Sequence, residues 1–259
     1  MNNREFIEMN KKGWNNLIKS NKPFSNTILP EYGPFLKRNE NELGILENLN
    51  GANVLDIGCG AGESLEYIYN KGAAGIWGID ISEEQITKAR DRFPEFQNNF
   101  IVSPMEEEVD LPNDFFDYII SIFSIGYTSD LDKTLKNTYK YLNKNGSLII
   151  SWTHPFYYCL NIENDKVIIN KSYFDEKSEI ITKGPDKVNL AQKNLMISTI
   201  INIASENGFY VERMYEEETI LKDDVNGYKS SFWKKEKTVN CPSTIIFKFK
   251  KKAYNNKSH

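Results

Sequence analysis

Residues 53–64, NVLDIGCGAGES, limit the fold of this 259-residue chain more than any other segment. Four mostly apolar residues, Val54 to Ile57, lead directly into glycines at the alternate positions 58, 60 and 62. A strand followed by such a glycine turn usually cradles a nucleotide, because glycine lets the backbone and a ligand approach closely. The segment therefore predicts an α/β fold with a nucleotide-like ligand at the end of its first strand.

The pattern around this turn extends the prediction to a whole sheet. Short apolar runs alternate with amphipathic segments from residue 53 to 152, which is typical of a doubly wound α/β fold with a mostly parallel sheet. Strands are predicted at 53–58, 75–80, 99–103, 115–121 and 147–152, and helices at 63–72, 82–93, 130–146 and 189–207. Asn145-Gly146 is predicted to end the third of these helices. Strands from Phe209 and at 243–250 complete a seven-stranded sheet as an antiparallel C-terminal hairpin.

Two regions interrupt the alternation and divide the chain. Residues 1–47 precede the first strand and are predicted to form an N-terminal helical segment that serves as a lid. Residues 48–259 form the main domain, with an insertion at about 155–188. Alternating runs at 166–174 and 178–183 predict a hairpin laid over the sheet edge. We expect this insertion to cover the binding site of a substrate.

Composition excludes several function classes. Lys and Arg number 32 and Asp and Glu number 36, and the net charge of −4 offers no general footprint for nucleic acid. The three cysteines are too few and too scattered for a disulfide framework or a metal cluster. No apolar run approaches the ~18 residues of a membrane span. The sequence predicts a cytoplasmic monomer or homodimer without a metal, membrane or nucleic-acid partner.

The chemistry of the glycine turn narrows the choice of ligand. A dinucleotide-binding loop reads G-x-G-x-x-G, and its third glycine position is occupied here by Glu63, whose carboxylate opposes a pyrophosphate. No Gly-Lys-Ser/Thr follows the glycines, so a Walker-type phosphate loop is excluded. A Gly-x-Gly-x-Gly turn with Asp56 two residues ahead suits a cofactor that has no phosphate and carries a positive charge.

These residues resemble a known family. VLDIGCGAG is similar to the first motif of class I S-adenosylmethionine-dependent methyltransferases, and the resemblance continues over residues 53–152. EEEVDLPNDFFDYIIS resembles the stretch that leads into the family's fourth strand, and SLIISWTHP resembles the fifth strand of the small-molecule branch. The resemblance implies a Rossmann-like methyltransferase fold, S-adenosyl-L-methionine as cofactor and S-adenosyl-L-homocysteine as product.

The resemblance also implies positions for the cofactor. The residues that match the family's cofactor contacts are Asp56, Gly58, Cys59, Gly60 and Gly62 at the methionine portion, Asp80 at the ribose hydroxyls, Ile81 at the adenine, and the backbone of Ser121 and Ile122 at the amino group. The family usually has an aspartate after the third strand, but this chain has Pro104 or Met105 there. We expect Met105 or Glu106 to contact the adenine instead.

The acceptor side is predicted from residues near the fifth strand. His154 follows this strand, where open α/β sheets bind ligands, and its ordinary pKa near 6.5 suits a catalytic base or a substrate hydrogen bond. The alternative is that His154 caps the strand and orients the following loop. The aromatic residues expected to line the acceptor site are Tyr127, Trp152 and Tyr157, together with Trp14 and Tyr32 from the N-terminal segment.

The sequence favours methyl transfer to oxygen, nitrogen or sulfur of a small organic acceptor. Methylation of RNA or protein is an alternative, although the acidic composition disfavours RNA. A binding partner that holds the cofactor without transferring its methyl group is a second alternative, because no base is certain. A nicotinamide-dependent oxidoreductase is the weakest alternative, since Glu63 stands where a dinucleotide loop needs glycine or alanine.

Overall fold

The computed structural model describes residues 1–22, 27–220 and 232–252. Its strands are β1 Asn53–Ile57, β2 Gly75–Asp80, β3 Phe100–Val102, β4 Phe116–Ile122, β5 Leu142–Thr153, β6 Leu160–Glu163, β7 Lys166–Ile169, β8 Glu179–Lys183, β9 Val188–Gln192, β10 Phe209–Tyr215 and β11 Thr244–Lys251. Seven of them form one sheet in the order β10-β11-β5-β4-β1-β2-β3. The five strands β1 to β5 are parallel, and β11 runs antiparallel to both of its neighbours.

Helices cover both faces of this sheet. They are α1 Asn3–Lys19, α2 Glu40–Leu43, α3 Glu63–Asn70, α4 Glu83–Arg92, α5 Leu131–Tyr141, α6 Pro155–Cys159, α7 Ile197–Glu206 and α8 Lys235–Thr238, with 3-10 turns at Pro94–Asn99 and Ile125–Tyr127. Successive side chains of a strand point to opposite faces, so Val54 packs with α3 and α4, and Leu55 packs with α5 and α7. Each fully buried aliphatic side chain of this kind contributes about 1.5–3 kcal/mol. The predicted doubly wound fold with its antiparallel C-terminal hairpin is confirmed.

The boundary between α5 and β5 differs from the prediction. α5 ends at Tyr141 and β5 begins at Leu142, so Asn145-Gly146 lies inside a strand and does not end a helix. A Cβ atom at Gly146 would lie 2.6 Å from the Leu142 side chain and 2.9 Å from the carbonyl oxygen of Phe116. Gly146 therefore permits a close approach of neighbouring strands, at a register shift between β4 and β5.

The segment that follows β5 contains two hairpins in place of the one that was predicted. β6 pairs with β7 and β8 pairs with β9, so the predicted hairpin between 166–174 and 178–183 is wrong. The helix expected from residue 189 begins at Ile197, because Val188–Gln192 forms β9. Leu190 and Ala191 are buried in β9, so this apolar pair belongs to a hairpin strand and not to the first turn of the helix.

α1 lies across the second hairpin and thereby over the end of the sheet. The Asn10 side chain donates to the carbonyl of Ala191 (2.9 Å) and accepts from its N–H (2.8 Å), as another strand would. Gly13 allows the close approach, since a Cβ atom there would lie 2.5 Å from the Leu190 side chain. Asn15 accepts a hydrogen bond from Ser82 at the start of α4 (2.7 Å). No helix in the described part of the chain is long and apolar enough to cross a membrane.

Candidate functional site

A cavity of about 780 Å³ opens at the carboxyl ends of β1, β2, β4 and β5. This is where open α/β sheets bind ligands, and the volume falls within the ~300–1,000 Å³ of small-molecule sites. α1 and the β8–β9 hairpin supply the outer wall through Trp14, Lys183 and Gln192. The sequence did not predict how the N-terminal segment and the residues after β5 pack on the sheet. In the structure, both line the same cavity as the glycine turn.

The glycine turn has the backbone conformation that its composition indicates. Gly58, Gly60 and Gly62 have φ values of +78°, +55° and +81°, which other residues rarely adopt. A Cβ atom at Gly58 would lie 2.4 Å from the Cβ of Ser124, so the turn passes directly beside the end of β4. The N–H groups of Gly58 and Cys59 both donate to the carbonyl of Ile79, which fixes the turn against β2.

Asp80, at the end of β2, accepts a hydrogen bond from this turn and can still accept further hydrogen bonds from a ligand. Its Oδ2 accepts from the N–H of Gly60 (2.9 Å), and its Oδ1 accepts from the N–H of Ser82 (2.8 Å). Each carboxylate oxygen has a second lone pair, so the side chain can still receive two hydroxyl groups. Burial raises the pKa of Asp80 to about 6, although the two backbone hydrogen bonds act in the opposite direction.

Asp56 is a buried acceptor without a protein partner. Its Oδ1 makes no hydrogen bond to any described residue, and it lines the cavity. Burial raises the pKa of Asp56 well above its ordinary value, and the nearby carboxyls of Asp80 and Glu63 add to the effect. An isolated buried acceptor costs free energy until a donor reaches it, so this position suits a ligand with a cationic or N–H group.

Asp56, Glu63 and Asp80 together form what we call the acidic end of the cavity. Arg92 lies 3.7 Å from the Glu63 carboxylate, and it is the sole basic residue of the described chain paired with this group of three. Three carboxylates around a helix N-terminus repel a pyrophosphate and attract a sulfonium or ammonium ion. The residues present therefore fit S-adenosylmethionine better than a dinucleotide.

Nine of the residues predicted to bind the cofactor line the cavity: Asp56, Gly58, Cys59, Gly60, Asp80, Ile81, Met105, Glu106 and Ile122. Gly62 and Ser121 do not. Gly62 caps α3 and faces Phe93, whose ring would lie 3.0 Å from a Cβ atom there. The Ser121 hydroxyl lies 2.6 Å from that of Ser124, so Ser124, which the sequence analysis missed, stands at the cavity wall in its place.

Glu106 lines the cavity with its carboxylate already engaged. One oxygen accepts from the N–H of Ser129 (2.9 Å) and from the Ser129 hydroxyl, and the other lies 3.4 Å from the Thr128 hydroxyl. These bonds fasten the segment after β4 to the segment after β3. Contact of Met105 or Glu106 with an adenine stays a prediction.

A second group of cavity-lining residues forms what we call the aromatic end: Trp14, Phe123, Tyr127, Trp152 and Trp233. The rings of Trp14 and Tyr127 meet edge to face at 5.2 Å between centroids, and those of Tyr127 and Trp152 do so at 5.3 Å. Such pairs stabilise each other by about 0.5–1.5 kcal/mol beyond burial. The predicted contributions of Trp14, Tyr127 and Trp152 to one wall are compatible with this arrangement.

His154 does not line the cavity, and its role as a base stays a prediction. Its Nδ1 accepts from the N–H of Phe156 at the start of α6 (3.2 Å), and its Nε2 lies 2.9 Å from the Glu216 carboxylate. This pairing uses both ring nitrogens in the neutral tautomer with the proton on Nε2. Burial lowers the pKa of His154, and Glu216 opposes that shift. The alternative interpretation, a cap that orients the following segment, describes His154 better.

Tyr32 and Tyr157, which the sequence predicts at the acceptor site, are both buried and do not line the cavity. The Tyr32 hydroxyl donates to the buried carboxylate of Glu40 (2.7 Å). The Tyr157 hydroxyl donates to the carbonyl of Phe232 (3.1 Å) and accepts from the N–H of Lys234 (3.1 Å). Aromatic composition alone does not separate such packing residues from residues that face a ligand.

Two polar residues of the outer wall escaped the sequence analysis: Lys183 and Gln192. Gln192 donates to the Tyr158 hydroxyl (2.9 Å), and Tyr158 donates to Glu179 of β8. The Lys183 ammonium lies 4.7 Å from the centroid of the Trp14 ring. The described residues contain no group of three or more His, Cys, Asp or Glu side chains that could hold a metal ion.

Comparison with known proteins agrees with this geometry. A methyltransferase domain family model matches residues 31–190. An uncharacterized protein of Haemophilus influenzae is 30% identical over 70% of this chain and 75% of its own length. A ubiquinone/menaquinone biosynthesis C-methyltransferase of Rickettsia typhi is 32% identical over 50% of this chain, which spans 51% of that protein.

The fold has a solved counterpart. An S-adenosylmethionine-dependent methyltransferase from Mesorhizobium loti superposes with a TM-score of 0.63 over 80% of this chain and 94% of that one, at 19% sequence identity. The family match covers more than half of the chain. The matched region contains the glycine turn and, just before it, Asp56, whose Oδ1 has no hydrogen-bond partner among the described residues. The chain therefore belongs to the methyltransferase domain family.

Proposed function

We propose that this protein transfers the methyl group of S-adenosylmethionine to a small organic acceptor bound at the aromatic end. The observation that carries the proposal is the single cavity of about 780 Å³, which contains both the acidic end and the aromatic end. Its outer wall is formed by α1 and the β8–β9 hairpin, so an acceptor lies between this wall and the end of the sheet. A concave site of this volume favours a small molecule over RNA or a folded protein.

When bound, S-adenosylmethionine would supply a methyl group activated by a positively charged sulfur, which would keep the carbon–sulfur electron pair when the acceptor's lone pair takes the methyl group. Asp80 would hold the ribose hydroxyls through its free lone pairs, and Asp56 would receive the ammonium group directly or through water. The glycines let the backbone pass close to the ligand. These residues would hold the cofactor in one position, so that its methyl group faces an acceptor bound at the aromatic end.

The acceptor side supplies orientation and protection from water. Correct alignment of two reactants is worth up to ~7–11 kcal/mol of barrier. Burial raises the pKa of Tyr127, so its hydroxyl stays protonated and serves as a hydrogen-bond donor, not as a base. The acceptor atom is oxygen, nitrogen, sulfur or, by analogy with the Rickettsia relative named as a C-methyltransferase, carbon.

A labelling experiment tests the proposal. The protein is incubated with methyl-labelled S-adenosylmethionine and a cell extract separated into small molecules, tRNA and protein. We expect label in the small-molecule fraction, and no label from Asp80→Ala, in which cofactor binding measured by calorimetry is lost.

Other outcomes contradict the proposal in different ways. Label in tRNA or protein establishes one of the alternative substrate classes. Normal calorimetric binding of cofactor with no label in any fraction establishes the inactive binding partner. Normal cofactor affinity in Asp80→Ala refutes the ribose assignment.

A further inference from the structure

The two ends of the cavity lie on different strands of the sheet. The acidic end is carried by β1, the turn after it, and β2, whereas Phe123 and Trp152 stand at the ends of β4 and β5. Adjacent strands are about 4.8 Å apart, so the aromatic end begins one or two strands away from the glycine turn. A ring bound at the aromatic end would therefore lie beside a cofactor held by that turn.

The aromatic end offers flat faces that are held in fixed positions. The Tyr127 ring meets the Trp152 indole edge to face at 5.3 Å, and Trp152 lies 5.6 Å from Phe123, measured between ring centroids. Gly126 permits this arrangement, because a Cβ atom there would lie 2.0 Å from the Trp152 ring, so the indole lies directly against the backbone. Aromatic side chains in such a setting pack favourably on another flat ring.

Two hydrogen-bond donors of the aromatic end have no acceptor among the described residues. They are the Tyr127 hydroxyl and the Trp152 indole N–H, and both side chains line the cavity. The sealed polar side-chain atoms without a partner belong to Asp56, Ser151 and Asn194, so these two donors are open to the cavity. Burial raises the pKa of Tyr127, so its hydroxyl keeps its proton. Both groups are satisfied by a ligand that accepts a hydrogen bond.

The charges around the cavity are already committed to protein partners. The charged side chains that line the cavity beyond the acidic end are Glu106, Lys171 and Lys183. Glu106 is held by the segment after β4, and Lys171 lies 2.9 Å from the Glu179 carboxylate. The Lys183 ammonium lies over the Trp14 ring, 4.7 Å from its centroid. A buried ion without a counter-charge of its own is strongly disfavoured, so this set favours an uncharged acceptor.

The two neighbours of the aromatic end act in the same direction. The three carboxylates of the acidic end oppose an anion in the same cavity. The positive charge of a bound S-adenosylmethionine opposes a cation beside it. An uncharged molecule avoids both effects.

We infer that the methyl acceptor is an uncharged aromatic compound with a carbonyl oxygen, whose ring packs on Tyr127 and Trp152 and whose oxygen accepts from the Tyr127 hydroxyl. The inference rests on the proposed function, because it names the acceptor class of that same site. A carbonyl oxygen accepts a hydrogen bond without bringing a donor that would itself need a partner. Tyr127 then selects and orients the acceptor and takes up no proton.

Four small probes test the inference by binding, separately from turnover. The protein saturated with S-adenosylhomocysteine is titrated at pH 7 with acetophenone, ethylbenzene, benzoate and benzylammonium, and binding is followed by saturation-transfer NMR. All four share a benzene ring: acetophenone adds a carbonyl group, ethylbenzene adds no polar atom, and the other two carry opposite charges. We expect acetophenone to bind at least about tenfold more tightly than either ion, because the ions lose hydration without gaining an uncommitted counter-charge.

Two variants assign the hydrogen bond. Tyr127→Phe removes the hydroxyl and keeps the ring, so it should weaken acetophenone about fivefold. Ethylbenzene should change by less than about twofold in this variant, which also shows that the site is intact. Tyr210→Phe is the matched control, because Tyr210 is 47% exposed on β10 and does not line the cavity. It should leave all four affinities unchanged.

The inference is overturned if either ion binds as tightly as acetophenone, if acetophenone does not bind, or if Tyr127→Phe changes acetophenone and ethylbenzene equally. These failures differ from failure of the proposed function, which is judged from cofactor affinity and label transfer. Label found only in charged metabolites would leave the proposed function standing and remove the inference.

Discussion

The Asp56 carboxyl is buried at the end of β1, and its Oδ1 accepts no hydrogen bond from the described residues. In the protein without ligand, Oδ1 is a buried polar atom without a hydrogen-bond donor, which costs about 1–3 kcal/mol. We expect Asp56→Asn to raise the free energy of unfolding of the ligand-free protein by about 1 kcal/mol at pH 7, because the amide cannot become charged. The same variant should bind S-adenosylhomocysteine about tenfold more weakly, because it loses the anionic acceptor.

Urea unfolding of the native protein and of Asp56→Asn at pH 4 and pH 7 shows whether the effect of the substitution comes from the lost charge or from altered packing. The pKa of Asp56 is raised in the folded state, so its unfavourable contribution is absent below the unfolded pKa near 3.9 and grows as the pH rises toward the folded pKa. The advantage of Asn should therefore disappear near pH 4. A variant that is less stable at pH 7 and binds the ligand normally would show that Asp56 is only a packing residue.

Asp80 predicts a pH dependence of cofactor binding. Its pKa is raised to about 6 by burial, and only the ionised form accepts hydroxyl groups through both oxygens. Affinity for S-adenosylhomocysteine should be constant above pH 7 and fall as the pH drops through 6, by about tenfold at pH 5. Calorimetry between pH 5 and 8 measures this, and Asp80→Asn should lack the step. Affinity that stays level down to pH 5 would contradict the ribose assignment.

At the scale of single elements, α6 depends on the cap that His154 provides. The Nδ1 atom accepts from the N–H of Phe156, and α6 carries Tyr158 to the outer wall of the cavity. Asn is a strong N-cap whose side-chain oxygen can accept the same bond, but it cannot act as a base near neutral pH. We expect His154→Asn to keep most of the turnover and an unchanged pH profile. His154→Ala should lose about 1 kcal/mol of stability.

The two substitutions distinguish the cap from a base by kinetics and thermal unfolding together. A base would be lost equally in both variants, with a changed acidic limb of the kcat profile. Such a result would restore the catalytic role that the sequence suggested. Equal stability of His154→Ala and the native protein would instead remove the capping role.

Sequence patterns identified the elements that are formed locally and missed those that depend on a partner. α4 begins where Ser82 predicts, because the Ser82 side chain accepts from the N–H of Gln85 within the same turn. β8 and β9 were missed as a pair, since alternation shows that a segment is a strand but not which strand it joins. Leu190 is buried because Gly13 of α1 packs on it, a contact across 177 positions that no local pattern contains.

At the scale of the whole molecule, the part of the site that is formed by neighbouring segments could be predicted, and the part formed by distant segments could not. The acidic end was predictable because one strand, the glycine turn with its helix start, and the acid that ends the next strand bring Asp56, Glu63 and Asp80 together. The aromatic end is assembled from α1, the ends of β4 and β5, and Trp233, which only the folded chain brings together. Trp14 and Tyr32 looked alike in sequence, but Glu40 pairs with Tyr32 in the core, whereas Trp14 faces the cavity.

Cofactor binding should stabilise parts of the molecule that do not touch it. α1 joins the insertion through Asn10 and joins the cofactor side through the Asn15–Ser82 hydrogen bond and the Lys11–Glu83 ion pair (2.9 Å). If α1, the β8–β9 hairpin and the sheet unfold together, S-adenosylhomocysteine at a hundred times its Kd stabilises all three by about 2.7 kcal/mol. Hydrogen exchange measured by mass spectrometry should then show equal added protection in α1, β9 and β1.

Asn10→Ala tests whether α1 provides this coupling. The substitution leaves the Ala191 N–H and carbonyl without their side-chain partner, which should cost about 1–3 kcal/mol and release the hairpin. Ligand-induced protection should disappear from β9 and persist in β1, while cofactor affinity changes little, because the contacts of the glycine turn are intact. Lys12→Ala, on the exposed side of α1, is the matched control. If the added hydrogen-exchange protection in the native protein is confined to the glycine turn, the outer wall opens independently of the cofactor side. Binding of the acceptor, and not of the cofactor, would then be the event that stabilises the outer wall.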